Sequence, residues 1–162
     1  DTFVVLHQEG SHGPTYFKRY PDSFKKFSPT CDTQELDKCS HEQIVNTYNN
    51  TILYTDYIIN QTINLLKANE DKYETTLIYI SDHGESLGEN GVYLHGLPYM
   101  IAPEAQKHVP AIFYFGTKLK AERERLSLKA SERFSHDNLF HTLLGRFAVN
   151  TTEYKPELDI LR

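Results

Sequence analysis

"TTLIYISDHGESLGENGVYLHG", residues 75–96, runs from an almost unbroken apolar stretch into a loop with two histidines, an aspartate, two glutamates and four glycines. An apolar run of this length, rich in β-branched and aromatic residues, predicts a strand over 75–81 that is buried on both faces. "VPAIFYF" (109–115) has the same character, and "TFVVLH" (2–7) predicts a third strand. Between the first two strands in the chain lies a long 3.6-periodic stretch, from about 41 to 68. Ser40 and Gln43 have the spacing of a capping box at its start, and Ile44, Tyr48 and Ile52, then Ile59, Ile63 and Leu66, mark its apolar face. A last helix, "HDNLFHTLLGRF" (136–147), is capped by Ser135.

Doubly buried strands separated by helices predict an α/β fold, a mostly parallel sheet flanked by helices on both faces. In such sheets ligands bind beyond the carboxyl ends of the strands. The loops "HQEGSHGP" (7–14) and "SDHGESLGENGVYLHG" (81–96) both leave that edge, so they can converge.

At 162 residues and 39% hydrophobic content the chain has the size and composition of one globular domain. A net charge of −5 without a Lys/Arg stripe argues against nucleic acid as a partner. "LKAERERLSLK" (119–129) mixes charge signs and reads as a solvated face. No apolar run approaches the roughly 20 residues of a membrane span. The opening "DTFVVLHQ" reads as a strand and not as a signal peptide.

Asp82 and His83 are adjacent, and in an extended strand their side chains would point to opposite faces. At the strand's end, with Gly84 next, the backbone can turn and bring both to one point. A carboxylate oxygen with a neutral imidazole nitrogen suits zinc, and manganese less well. The bland alternative is that Asp82 caps a turn and His83 lies on the surface. His12 in "GSHGP" and His95 in "LHG" also stand beside glycines, which let a bound group approach the backbone. His7, His41, His108, His136 and His141 read as structural. The Asn-x-Thr triplets at Asn49, Asn60 and Asn150 are coincidental, two of them falling within the long helix. Cys31 and Cys39 match neither a CxxC redox pair nor a usual zinc knuckle. Pairing with each other in an oxidising compartment is the simpler account, and two free thiols are the alternative.

"VVLHQEGSHGPTYFKRYP" (4–21) and "YISDHGESLGENGVYLHGLPY" (79–99) resemble the two strongest motifs of the bacterial lipid A phosphoethanolamine transferases, within the alkaline phosphatase and sulfatase superfamily. The likeness extends to "SPTC…KCSHE", the long helix and "SHDNLFHTLLGRF". It implies that Asp82 and His83 ligate a catalytic zinc, and that His12 and His95 hold the substrate phosphate or a second zinc. It also implies outer hydrogen-bonding roles for Glu85 and Asn90, and a periplasmic disulfide between Cys31 and Cys39. The implied donor is phosphatidylethanolamine and the implied acceptor is lipid A, lipooligosaccharide or the lipopolysaccharide core. A sulfatase or phosphodiesterase, or a non-catalytic remnant of the fold, is the alternative.

The family's nucleophilic threonine, an earlier glutamate ligand and its membrane helices have no counterpart in these residues. The expectation is therefore that residues 1–162 form the C-terminal part of one catalytic domain at the periplasmic face of the inner membrane, inactive alone.

Overall fold

The computed structural model describes residues 2–162. Its elements are helices α1 (His41–Lys67), α2 (Glu104–Lys107), α3 (Lys120–Ser127) and α4 (His136–Arg146). The strands are β1 (Thr76–Ile80), β2 (Ser86–Leu87), β3 (Tyr93–Leu94) and β4 (Ala111–Phe115). The fold is α/β. Two compact units divide it, one holding the chain to Thr62 with Tyr79–Ala111, the other Ile63–Ile78 with Ile112–Arg162. Among the described residues no helix is long and apolar enough to cross a membrane.

In the first unit α1 starts at the capping box read from sequence. Gln43 N–H donates to Ser40 Oγ at 3.2 Å, and Ser40 N–H donates to Gln43 Oε1 at 2.8 Å. The buried face of the helix, however, is largely polar: Thr47, Asn50, Thr51 and Thr55 lie beside Ile44 and Ile59. Ile52, expected on that face, is 46% exposed. At about 100° per residue, a step of eight from Ile44 drifts about 80° off its line, while a step of seven to Thr51 stays within about 20°.

The polar face holds the long loop that precedes α1. Asn50 Oδ1 accepts the N–H groups of Lys26 and Phe27 at 2.8 and 2.9 Å, and its Nδ2 donates to Phe27 O at 2.9 Å. Thr47 Oγ1 accepts Cys31 N–H at 2.7 Å. Cys31 and Cys39 are disulfide-bonded, their Cα atoms 5.6 Å apart. Cys31, Tyr16 and Ile44 form the buried core of this unit, with Leu36, Tyr48, Leu87 and Leu94 packed around it. β2 and β3 pair antiparallel, Ser86 opposite Leu94.

β1 and β4, whose larger parts fall in the second unit, are sheet neighbours. Ser135 caps α4 and shares a capping box with Asn138. The C-terminal segment is strapped to that helix: Asn138 Nδ2 donates to Leu158 O at 2.9 Å and Ile160 N–H donates to Thr142 Oγ1 at 3.0 Å. α3 carries no buried residue, as its mixed charge predicts.

The strand expected at 2–7 is not formed. Residues 2–8 lie outside regular structure, and Phe3, Val4, Val5 and Leu6 are 58–73% exposed. A run apolar on both faces is held as a strand by covering layers and by ladder neighbours. Here the apolar side chains on both faces are mostly exposed. β1 is likewise only half-buried along its length.

Candidate metal centre

His83 lies just past the end of β1, where the chain bends against α2. Gly84 N–H donates to Gln106 O at 3.1 Å, and a Cβ at position 84 would stand 1.9 Å from the Ala105 carbonyl oxygen. Only glycine allows that approach. Gln106 Nε2 also donates to Ser86 Oγ at 2.9 Å, which fixes the far side of the bend.

His12 is carried by a turn in which its N–H donates to Glu9 O at 3.0 Å. Arg19 holds the turn from outside: its Nε donates to His12 O at 3.2 Å and its guanidinium pairs with the Glu9 carboxylate. His95 follows β3. The residue before it, Leu94, has a left-handed φ of 64°, a conformation that a bulky side chain rarely adopts. Packing of Leu94 against the Tyr16–Cys31–Ile44 core holds it there.

These bends bring the two loops together. The His83 and His95 rings lie 4.0 Å apart between centroids, and His12 and His95 4.7 Å apart. One nitrogen from each of His12, His83 and His95 falls within 4.8 Å of the others. Each Nδ1 faces an oxygen: Gly13 O at 2.7 Å for His12, Gly84 O at 3.0 Å for His83, Glu85 Oε1 at 3.0 Å for His95. Carbonyl and carboxylate oxygens only accept, so each neutral ring carries its proton on Nδ1. The Nε2 lone pairs are then left for a metal or for another proton donor. Three such imidazoles are a donor set that suits a metal ion.

Asp82 stands at the rim. Its Oδ1 accepts His83 N–H at 3.0 Å, its Oδ2 is 3.9 Å from His83 Nε2, and its side chain is 81% exposed. Asp82 therefore caps its own turn and borders His83. Asn90 is exposed in the β2–β3 turn, with a left-handed φ of 55° that asparagine tolerates. Of the histidines outside the cluster, His41 has its Nδ1 3.1 Å from Leu87 O, and His141 Nδ1 accepts Lys155 N–H at 3.2 Å.

The residue that joins the loops is Glu85, 7% exposed. Its Oε1 accepts Gly13 N–H at 3.1 Å and faces His95, while its Oε2 accepts the Tyr16 hydroxyl at 3.0 Å. Burial, and then this carboxylate, push the Tyr16 phenol well above the ordinary tyrosine range. Sequence reasoning did not single out Tyr16. Its partner is 69 positions away, and nothing local marks it.

Beside His83 and His95 opens a cavity of about 260 Å³, walled by Leu97, Tyr99 and Ala102, with Lys107 at its side. The Lys107 ammonium lies 5.1 Å from the Tyr99 ring centroid.

Residues 1–149 match the family model for sulfatases. The chain belongs to the sulfatase family. Enzymes of this superfamily are metal-dependent, and the three-histidine cluster could hold a metal ion. Phosphoethanolamine transferase EptA of Salmonella typhimurium is 56% identical over all of this chain, which covers 30% of that relative's length. The C-terminal periplasmic domain of phosphoethanolamine transferase EptC from Campylobacter jejuni superposes with a TM-score of 0.93 at 56% identity. That match covers 98% of this chain and 50% of the EptC domain. Lipooligosaccharide phosphoethanolamine transferase A from Neisseria meningitidis, an integral membrane protein, gives 0.87 at 46% identity, over 93% of this chain and 29% of that one. This sulfatase-family chain thus spans about a third of its full-length relatives.

Proposed function

We propose that residues 1–162 are the C-terminal part of the catalytic domain of a zinc-dependent phosphoethanolamine transferase. The enzyme moves phosphoethanolamine from a phosphatidylethanolamine donor to lipid A, lipooligosaccharide or the core sugars. It works at the periplasmic face of the inner membrane, anchored by a segment outside these residues. The observation that carries the reading is the convergence of His12, His83 and His95, three imidazoles on two loops. The names of the similar transferases and the match to the solved periplasmic domains support it.

Asp82 and His83 would hold the catalytic zinc, with further ligands and a nucleophilic threonine supplied from outside this chain. When bound, zinc supplies positive charge that favours the ionised threonine and offsets charge gathering on the phosphoryl oxygens. His12 and His95 face the same space, and there they hold non-bridging phosphoryl oxygens or a second ion. Glu85 keeps the His95 proton on Nδ1, so that His95 presents Nε2 to the site. The cavity beside His95, with apolar walls and one ammonium group, suits the part of a phospholipid where headgroup meets glycerol.

In the transfer, the threonine hydroxyl gives up its proton and its oxygen forms a bond to phosphorus as the P–O bond to glycerol breaks, the leaving oxygen taking up a proton to give diacylglycerol. The acceptor oxygen then displaces threonine. The test is a two-substrate assay of the full-length enzyme with labelled phosphatidylethanolamine. Diacylglycerol released in step with acceptor labelling is expected. Free phosphoethanolamine without labelled acceptor would make the enzyme a hydrolase and overturn the reading.

A further inference from the structure

Besides the packing of Leu94, the core of the first unit reaches the histidine cluster through the Tyr16 hydroxyl. Tyr16 is 1% exposed, packed with Cys31 and Ile44, and its ring meets Tyr48 edge-on at 5.7 Å. From that buried position its hydroxyl donates to Glu85 Oε2, while Glu85 Oε1 is shared between Gly13 N–H and His95. Gly13 has no room for a side chain, since a Cβ there would lie 2.6 Å from the Tyr16 hydroxyl and 2.5 Å from Leu94 Cδ2. Tyr16, Leu94 and the residue next to His12 are therefore packed against one another, and the carboxylate is held between them.

We propose that Tyr16 is a positioning residue for the metal site: its hydroxyl fixes the Glu85 carboxylate, which in turn fixes both the His95 tautomer and the approach of the His12 loop. This rests on the metal reading above for its consequence in binding, but not for its geometry. A carboxylate has two oxygens and several lone pairs, and one bound at a single oxygen can rotate. With Oε2 tied to Tyr16, rotation about the Glu85 side chain would break a buried hydrogen bond, so Oε1 stays aimed at His95 and Gly13. The anchor is itself fixed, because Cys31 is both in the core and in the Cys31–Cys39 disulfide. Groups that orient a metal-binding histidine through its other ring nitrogen typically change affinity by about 10–100-fold when removed.

The experiment is the ring nitrogen-15 spectrum of His95 in the metal-free chain, beside zinc affinity measured by chelator competition. Tyr16→Phe keeps the ring in the core and removes only the hydroxyl. The expected result is a mixed tautomer at His95, an unchanged tautomer at His83, whose Nδ1 partner is a backbone carbonyl, and about tenfold weaker binding of the second zinc, the one at His12 and His95, with the zinc at Asp82 and His83 unchanged. Tyr48→Phe, in the same core and with no hydrogen bond to Glu85 among the described residues, should leave both readings at parent values. Glu85→Gln should reproduce the Tyr16→Phe effect, and adding Tyr16→Phe to it should change little more. A purely structural Tyr16 would lower stability and leave the His95 ring as it was. If Tyr16→Phe leaves the His95 tautomer unchanged, or adds its full effect on top of Glu85→Gln, the proposal is overturned. Should the parent bind no zinc while the tautomer still shifts, the metal reading falls and the positioning role stands.

Discussion

Asn50 clasps Phe27 through both of its backbone groups: the Phe27 N–H donates to Asn50 Oδ1 and the Phe27 carbonyl accepts from Asn50 Nδ2, each at 2.9 Å. Asn50 is fully buried, and its Oδ1 serves Lys26 N–H as well. Asn50→Ala would leave these backbone groups short of partners, at about 1–3 kcal/mol for a buried one. A loss of about 2–4 kcal/mol in urea unfolding is expected. A loss within experimental error would mean that the loop does not depend on this clasp.

The Cys31–Cys39 disulfide closes a short loop just ahead of α1. On the chain-entropy estimate its removal costs roughly 2–3 kcal/mol. Cys31→Ser with Cys39→Ser should lower the denaturant midpoint accordingly, with the slope unchanged. Peptide mapping without reductant should recover the linked pair, and two free thiols in periplasmic material would contradict both the bond and the compartment.

Tyr114 donates its hydroxyl to the Glu70 carboxylate, which also accepts Thr117 N–H at 3.2 Å. Burial, and then this hydrogen bond, push the Tyr114 phenol from its usual value of 10.0 up to about 12. The folded state thus favours the protonated phenol. Its contribution to stability is complete below about pH 10 and is lost as the pH rises through about 12. A near-ultraviolet titration should show a late phenolate step that Tyr114→Phe removes. A Tyr114 that ionises with the exposed tyrosines would contradict the pairing.

Local chemistry announced some of these features and concealed others. Ser40, Gln43 and Ser135 mark helix starts because a cap and its partner are three residues apart, and both helices begin where those residues place them. The histidine loops were legible because glycines, and for His83 the end of β1, say where a chain can turn, although the strand expected before His12 is not formed. Thr47 and Asn50 were not, since their partners lie in a loop 16 and 23 or 24 positions away and polar residues on a helix normally face water. "TFVVLH" misled because an apolar run states a preference for burial, and burial also needs a cover. Glu85 could be placed near the site from its motif, but its hold on Gly13 and Tyr16 exists only in three dimensions.

The central claim is that His12, His83 and His95 form one site in which zinc and phosphate are handled by different side chains. The most direct measurement is zinc stoichiometry beside transfer rate for four variants of the full-length enzyme. His83→Ala should lose the catalytic zinc and nearly all transfer. His12→Ala and His95→Ala should each keep that zinc yet transfer on the order of 10²–10³ more slowly, the usual cost of losing one preorganised donor. His108→Ala, at the end of α2 and outside the cluster, should be nearly silent. If His12→Ala and His95→Ala transfer as fast as the parent, the convergence of the two loops has no part in the chemistry and the account is wrong.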